Sequence, residues 1–119
     1  GPRMLRLTAE LADHWNGGLR AIDEVPALLA DLADACAAVG RDPGSMTRSV
    51  EVLVRPGDVA GVPAEDREIR GSPATIAAAL QAFAALGIDE LQVQLRPNSL
   101  AGVEAFAPVI EALRSGDYS

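Results

Sequence analysis

The chain has 119 residues, of which 49% are hydrophobic and 23% charged, and this composition is typical of one globular domain over residues 1–119. Its net charge of −7 argues against a nucleic acid or an anionic membrane surface as partner. No apolar run approaches the roughly 20 residues that a membrane helix needs, and the N-terminus has no signal-peptide core, so we expect a cytoplasmic protein without a membrane partner. The single cysteine, Cys36, excludes an internal disulfide, and one cysteine with one histidine makes a structural zinc site implausible.

The first third of the chain predicts two helices and a short strand. Residues 2–13 have helical spacing of apolar positions, and His14-Trp15-Asn16 is compatible with a buried strand of three or four residues that ends at Gly17-Gly18. Residues 25–39 give the clearest helix, because their apolar residues form one stripe. Gly40 ends this helix, and a turn over residues 41–44 follows.

The rest of the chain predicts two further strands and two further helices. Residues 47–54 and 90–95 alternate between apolar and other side chains, as strands do. Between these strands Ser72 is a suitable N-cap and Pro73 a suitable first residue for a helix over 73–86, which Gly87 ends. A last helix is expected over 99–114 with Ser99 as its cap. The segment from Arg55 to Gly71 is a long loop, a kind that is usually functional or mobile.

A helix followed by three βα units predicts an α/β fold with a parallel sheet and right-handed crossovers. We therefore expect three parallel strands in chain order, with helices 25–39 and 73–86 on the same side. The side chains expected to be mostly buried are Leu28, Leu32, Cys36, Val50, Val52, Ile76, Leu80, Phe83, Leu91, Val93, Phe106 and Ile110.

One face of the predicted sheet is polar, because Glu51, Gln92 and Gln94 share one parity along their strands. Buried polar groups need partners. This face therefore meets solvent or lines a polar cavity such as the interior of a barrel. A complete (β/α)8 barrel takes about 250 residues, and this chain has about half of that.

Five segments resemble, in order, the luciferase-like monooxygenases, which are flavin- or deazaflavin-dependent (β/α) barrels. They are residues 1–16 (GPRMLRLTAELADHWN), 37–43 (AAVGRDP), 48–54 (RSVEVLV), 71–73 (GSP) and 87–91 (GIDEL). The resemblance implies the C-terminal half of such a TIM barrel, with strands six, seven and eight, and it implies that the N-terminal half of the barrel is missing.

The resemblance also implies a cofactor-phosphate site at the start of the chain. Gly1 and Arg3 match the end of the family's glycine-rich turn, where free N–H groups at a helix start suit an anion. The alternative is that Gly1-Pro2 is a protease-cleavage scar or an ordinary terminus.

Other candidate site residues lie at or near the carboxyl ends of the strands, where barrel active sites form. Asn16 is a candidate for a hydrogen bond to a flavin or a substrate carbonyl, whereas Trp15 is more often a core residue than a cofactor contact. Arg55 and Arg96 are candidates for a cofactor or substrate anion. The candidates for lining the lumen are Glu51, Arg55, Gln92, Gln94 and Arg96. The four other than Arg55 share the inward-facing parity, and their polar groups either contact a bound ring or, as we favour, satisfy one another.

Two functions of different classes follow. The first is the C-terminal part of an oxidoreductase or monooxygenase that uses FMN or the deazaflavin coenzyme F420 on a small-molecule substrate, by resemblance. The second is a self-associating, non-catalytic α/β module that keeps the half-barrel packing. No catalytic residue is assigned from the sequence. Open sheet edges predict a homo-oligomer or a part of a larger chain.

Overall fold

The computed structural model describes Leu5 and residues 12–116. The strands are β1 (His14–Leu19), β2 (Thr47–Arg55), β3 (Glu68–Arg70) and β4 (Glu90–Leu95), and the helices are α1 (Val25–Ala38), α2 (Pro73–Ala85) and α3 (Leu100–Ser115). Short 3-10 turns cover Ile22–Glu24 and Pro43–Ser45. Most of the helix predicted over residues 2–13 lies outside the described residues, although Leu5 is helical and Ala12 and Asp13 are not.

The residues predicted to begin and end the helix over 73–86 do so in the structure. The Ser72 hydroxyl accepts a hydrogen bond from the Thr75 amide at 3.1 Å, and Pro73 occupies the first turn of α2. Gly87 follows α2 with a φ of 105°, a left-handed conformation that favours glycine. Ser99 is the N-cap residue of α3, as predicted, but its side chain makes no capping hydrogen bond to the helix.

All strand pairs are parallel, and β2 is the central strand. Because Glu51 pairs with Leu19 and with Gln92, β1 and β4 lie on opposite edges of β2. The predicted order of the three strands is therefore confirmed. β1 is longer than expected, since it continues through Gly17-Gly18 with a register shift between Asn16 and Leu19.

Strand β3 corrects the predicted loop over residues 55–71. It pairs with the carboxyl half of β2, on the same edge as β1, since Leu53 pairs with both Glu68 and Gln94. A strand of three residues is too short for its alternation to stand out from a loop in sequence. β1 and β3 therefore pair one after the other along the same edge of β2, and β4 pairs with the opposite edge.

The main core lies between one face of the sheet and all three helices. Its buried members include Val50, Val52 and Val54 of β2, Val25 of α1, Ile76, Leu80 and Phe83 of α2, and Val109 of α3. A second buried cluster joins Trp15, Leu32, Cys36 and Met46. The prediction that the first two long helices lie on one side of the sheet is therefore confirmed.

The prediction for Ile110 is wrong, since its side chain is 39% exposed. The buried residues of α3 are Gly102 and Val109, with Phe106, Ala112 and Leu113 packed against the core, and the apolar residues 103 and 110 are exposed. Leu28, Leu91, Val93 and Phe106 are half-buried at the margins of the core. Within the part of the chain that the structure describes, no helix is long and apolar enough to cross a membrane.

Candidate functional site

The face of the sheet that carries no helix is lined mainly by polar side chains, and we call it the polar face. The strand registers place on it His14 and Asn16 of β1, Ser49, Glu51, Leu53 and Arg55 of β2, Glu68 and Arg70 of β3, and Glu90, Gln92 and Gln94 of β4. Arg96 follows β4 with the same parity. The predicted polar face is thereby present, and it extends over all four strands.

At the centre of the polar face, the Gln94 side-chain amide donates a hydrogen bond to Glu51 Oε1 at 2.8 Å. The sequence interpretation that these polar groups satisfy one another holds for this pair. Gln92 is exposed, and Arg96 turns instead to Glu65 beyond the end of the strand. The predicted group of four is therefore divided in the structure.

At the amino ends of the strands, His14 Nε2 lies 2.9 Å from the Ser49 hydroxyl and 3.8 Å from Glu90. In a catalytic triad the carboxylate orients the histidine through Nδ1 and the serine uses Nε2. Here both groups approach the same nitrogen. The contact therefore links the side chains of β1 and β2 and does not activate the Ser49 hydroxyl as a nucleophile.

At the carboxyl ends of the strands, five charged residues form the cluster that we call the arginine cluster: Arg55, Glu65, Glu68, Arg70 and Arg96. Arg55 Nε donates to Glu68 at 2.7 Å, and Arg55 Nη2 donates to Glu65 Oε2 at 2.9 Å. Arg96 Nε lies 3.2 Å from the same Glu65 oxygen. Arg70 also pairs with Glu68 and donates to the Val62 carbonyl at 2.6 Å.

The Glu68 side chain is fully buried in this cluster. Burial raises the pKa of Glu68, but the hydrogen bonds from Arg55 and Arg70 and the positive charges of these two groups together lower it by more, so the pKa lies below the ordinary value for glutamate. Glu68 is therefore a carboxylate that holds two guanidinium groups in place. Such a group positions cationic side chains and does not supply protons.

A second ionic contact joins the loop after β1 to the residue before β3. The Glu24 carboxylate accepts hydrogen bonds from Arg67 Nε at 2.6 Å and from Arg67 Nη2 at 3.0 Å. The Ala21 amide also donates to Glu24, at 2.8 Å. These bonds, above all that from Arg67, lower the pKa of Glu24 to about 2. Arg67 has a φ of 64°, a conformation that non-glycine residues seldom adopt.

The predicted cofactor residues are separated by the structure. Trp15 is buried in the second core cluster on the helix side of the sheet, as the core interpretation expects. Asn16 lies on the polar face and is exposed, and its Oδ1 accepts a hydrogen bond from the Gly18 amide at 2.7 Å. The prediction that Asn16 lies at the carboxyl end of its strand is wrong, because β1 continues to Leu19 and Asn16 pairs with Ser49 near the amino end of β2. Gly1 and Arg3 lie outside the described residues.

Arg55 and Arg96 are predicted from the sequence, but their carboxylate partners are not. Glu65 and Glu68 are in the segment interpreted as a loop. The alternating charges of residues 65–70 (EDREIR) were the available signal, since opposite charges in a short segment often pair within a folded protein.

Comparison with solved structures shows the same fold in two enzymes. One is an F420-dependent secondary alcohol dehydrogenase in complex with an F420–acetone adduct, with a TM-score of 0.73 and 15% identity over 96% of this chain and 47% of that chain. The other is the long-chain alkane monooxygenase LadA, with a TM-score of 0.75 and 13% identity over 98% of this chain and 40% of that chain. No protein-family model and no curated protein matches the sequence.

These likenesses define the fold of this chain as a partial (β/α) barrel with parallel strands. Both structures belong to the luciferase-like monooxygenases, so the resemblance seen in the sequence is confirmed at the level of fold. The chain spans less than half the length of either structure.

Proposed function

We propose that this chain is the C-terminal part of a luciferase-like oxidoreductase or monooxygenase that uses a flavin-type coenzyme, either FMN or F420. The observation that carries this proposal is the two-sided sheet. One face packs against all three helices, and the opposite face is polar and lies where the interior of a closed barrel would be. The fold of the two enzymes above supports the proposal.

The side chains of the polar face suit the chemistry of a flavin-type coenzyme. In this proposal the amides of Asn16 and Gln92, which are exposed, bind the polar edge of the ring, and Arg55 and Arg96 bind an anionic part of coenzyme or substrate. When bound, the coenzyme supplies the redox chemistry. Trp15 contributes to this site only by packing beneath β1, because its side chain points to the opposite face.

Coenzyme binding by the purified chain tests the proposal. Titration of the protein into FMN and into F420, followed by the fluorescence anisotropy of the coenzyme, is expected to show saturable binding of one of them. Asn16→Ala should weaken that binding, whereas Asp58→Asn, in an exposed loop, should leave it unchanged. Equal binding by wild type and Asn16→Ala would remove Asn16 from the site.

The exposed apolar residues of α3 favour a second candidate, the non-catalytic self-associating module. Leu100, Val103 and Ile110 are 72%, 57% and 39% exposed, and β4 has a partner on one edge only among the described strands. An open strand edge favours pairing with a further strand, and exposed apolar side chains on a helix favour contact with another surface. A stable oligomer that binds neither coenzyme would favour this function over the first.

A further inference from the structure

The arginine cluster contains a feature that goes beyond a network of ion pairs. Two guanidinium groups from neighbouring strands, Arg55 of β2 and Arg96 after β4, converge on one carboxylate oxygen, Glu65 Oε2, at 2.9 and 3.2 Å. Glu65 itself belongs to the segment between β2 and β3. A pair of guanidinium groups that meet at one oxygen has the geometry of a receptor for a carboxylate or a phosphate.

We infer that Arg55 and Arg96 form an oxyanion-binding site in which Glu65 is an internal occupant that an external carboxylate or phosphate group displaces. The inference names a ligand class for the carboxyl end of the polar face. It rests on the proposed function only in treating that ligand as part of a substrate or coenzyme.

The local charges favour an exchangeable occupant. The cluster has three arginines and two glutamates, so removal of Glu65 from its place leaves Arg55 and Arg70 paired with Glu68 and leaves Arg96 with no carboxylate partner from the cluster. The protein as a whole has a net charge of −7 and does not attract anions. The excess of positive charge in the cluster therefore attracts an oxyanion only at short range. Glu51, another acidic residue of the polar face, accepts a hydrogen bond from Gln94 and lies outside the cluster.

Burial separates the fixed part of the cluster from the exchangeable part. The side chain of Glu68 is fully buried, and it holds Arg55, which is 19% exposed. Glu65 and Arg96 are 44% and 37% exposed. Arg55 is therefore held in place by the buried Glu68. The pair that an incoming anion must separate, Glu65 and Arg96, faces solvent.

There is also space for a ligand next to Arg96. A cavity of about 390 Å³ lies along the end of β4 and is lined by Gln94, Arg96 and Asn98, with the apolar Val93 and Leu95. Its amide and guanidinium groups are hydrogen-bond donors suited to the oxygens of an anion. A ligand whose anionic group reaches Arg55 and Arg96 can place its remaining atoms there.

Titration with inorganic phosphate and, separately, with acetate at constant ionic strength tests the inference, with amide chemical shifts and calorimetry as readouts. We expect weak, saturable binding to the wild-type chain. Glu65→Gln removes the competing charge and should tighten binding on the order of tenfold, and adding Arg96→Gln to that variant should reverse the gain. Comparison of the two titrations shows whether phosphate or carboxylate is preferred.

Glu111→Gln is the matched control, because Glu111 is an exposed glutamate on α3 that also pairs with an arginine. It removes the same charge from the whole molecule but lies outside the cluster, so its affinity should equal that of the wild type. If Glu111→Gln binds as tightly as Glu65→Gln, or if Arg96→Gln has no effect, the inference is wrong.

Hydrogen exchange on the wild-type chain provides a second test that needs no variant. The Glu68 amide donates to the Glu65 carbonyl at 3.2 Å and the Val62 amide donates to the Val59 carbonyl at 3.0 Å. Displacement of Glu65 by saturating phosphate should speed exchange at these amides and leave the amides of β2 protected. Unchanged exchange under saturation overturns the inference. Neither test measures FMN or F420 binding, so failure of the coenzyme proposal would be seen separately.

Discussion

At the scale of single residues, Gly102 shows how close two segments of backbone come. It is buried in the first turn of α3, where a Cβ atom would lie 2.0 Å from the Pro97 carbonyl oxygen. This contact sets how the chain turns from β4 into α3. Only glycine permits it without movement of the backbone.

Gly102→Ala should therefore destabilise the protein, although the same change in an ordinary helix stabilises it by about 1 kcal/mol. We expect a loss of more than about 1 kcal/mol in the free energy of unfolding measured with urea. Ala101→Gly, at the exposed neighbouring position, is the control and should cost about 1 kcal/mol by the usual helix propensity. A stabilised Gly102→Ala variant would contradict the close approach.

Glu24 should make stability depend on pH in the acid range. Its pKa is lowered from 4.5 to about 2 in the folded chain, mainly by the hydrogen bond from Arg67. A group whose pKa is lower when folded stabilises the native state above its unfolded pKa, and this contribution disappears as the pH falls from about 4.5 toward 2. The difference in stability between wild type and Glu24→Gln should therefore be larger at pH 7 than at pH 3.

Urea unfolding at the two pH values measures this difference, and the subtraction removes the effect of the other carboxylates. Asp23→Asn is the matched control, since it changes an exposed neighbouring acid. The assignment fails if Asp23→Asn shows the same pH dependence as Glu24→Gln.

At the scale of elements, α2 is held by the side chains that meet β2. Phe83 is 1% exposed in the main core, whereas Leu86, one turn further along, is 42% exposed. Phe83→Ala should reduce the free energy of unfolding by about 3–5 kcal/mol. Leu86→Ala is the control and should cost less than about 1 kcal/mol, because little apolar area is lost from the interior. Similar losses for the two variants in urea unfolding would mean that the buried face of α2 is assigned wrongly.

At the scale of the whole molecule, the open edge of the sheet and the exposed apolar residues of α3 predict self-association. The half-barrel leaves β4 unpaired on its outer edge among the described strands, and Leu100, Val103 and Ile110 of α3 are exposed. Sedimentation at micromolar concentration should show a dimer or a larger species. Val103→Asp should shift the distribution toward monomer, because it places a charge in the apolar contact.

Glu104→Gln, at the next and also exposed position of α3, is the control and should leave the distribution unchanged. Wild-type protein that remains monomeric at all accessible concentrations would refute self-association. The cytoplasmic location also remains a prediction.

Local sequence signals determined most of the elements of this protein. Ser72, Pro73 and Gly87 act within a few residues of their own positions, so their effect on α2 could be predicted without knowledge of distant contacts. The alternation in residues 47–54 and 90–95 likewise depends only on the period of a strand. The polar parity of Glu51 and Gln94 was visible for the same reason, and the bond between them follows once the strands pair in register.

Tertiary structure alone decided the partners and the margins of the core. Glu65 and Glu68 contact the three arginines of the cluster because the chain returns to the edge of β2 as β3. A strand of three residues is too short for its sequence pattern to predict this pairing. Ile110 has the helical spacing of a core residue, but in the folded chain α3 buries Val109 and leaves Ile110 exposed. Spacing defines a stripe on a helix, whereas the neighbours that cover the stripe depend on how the whole chain packs.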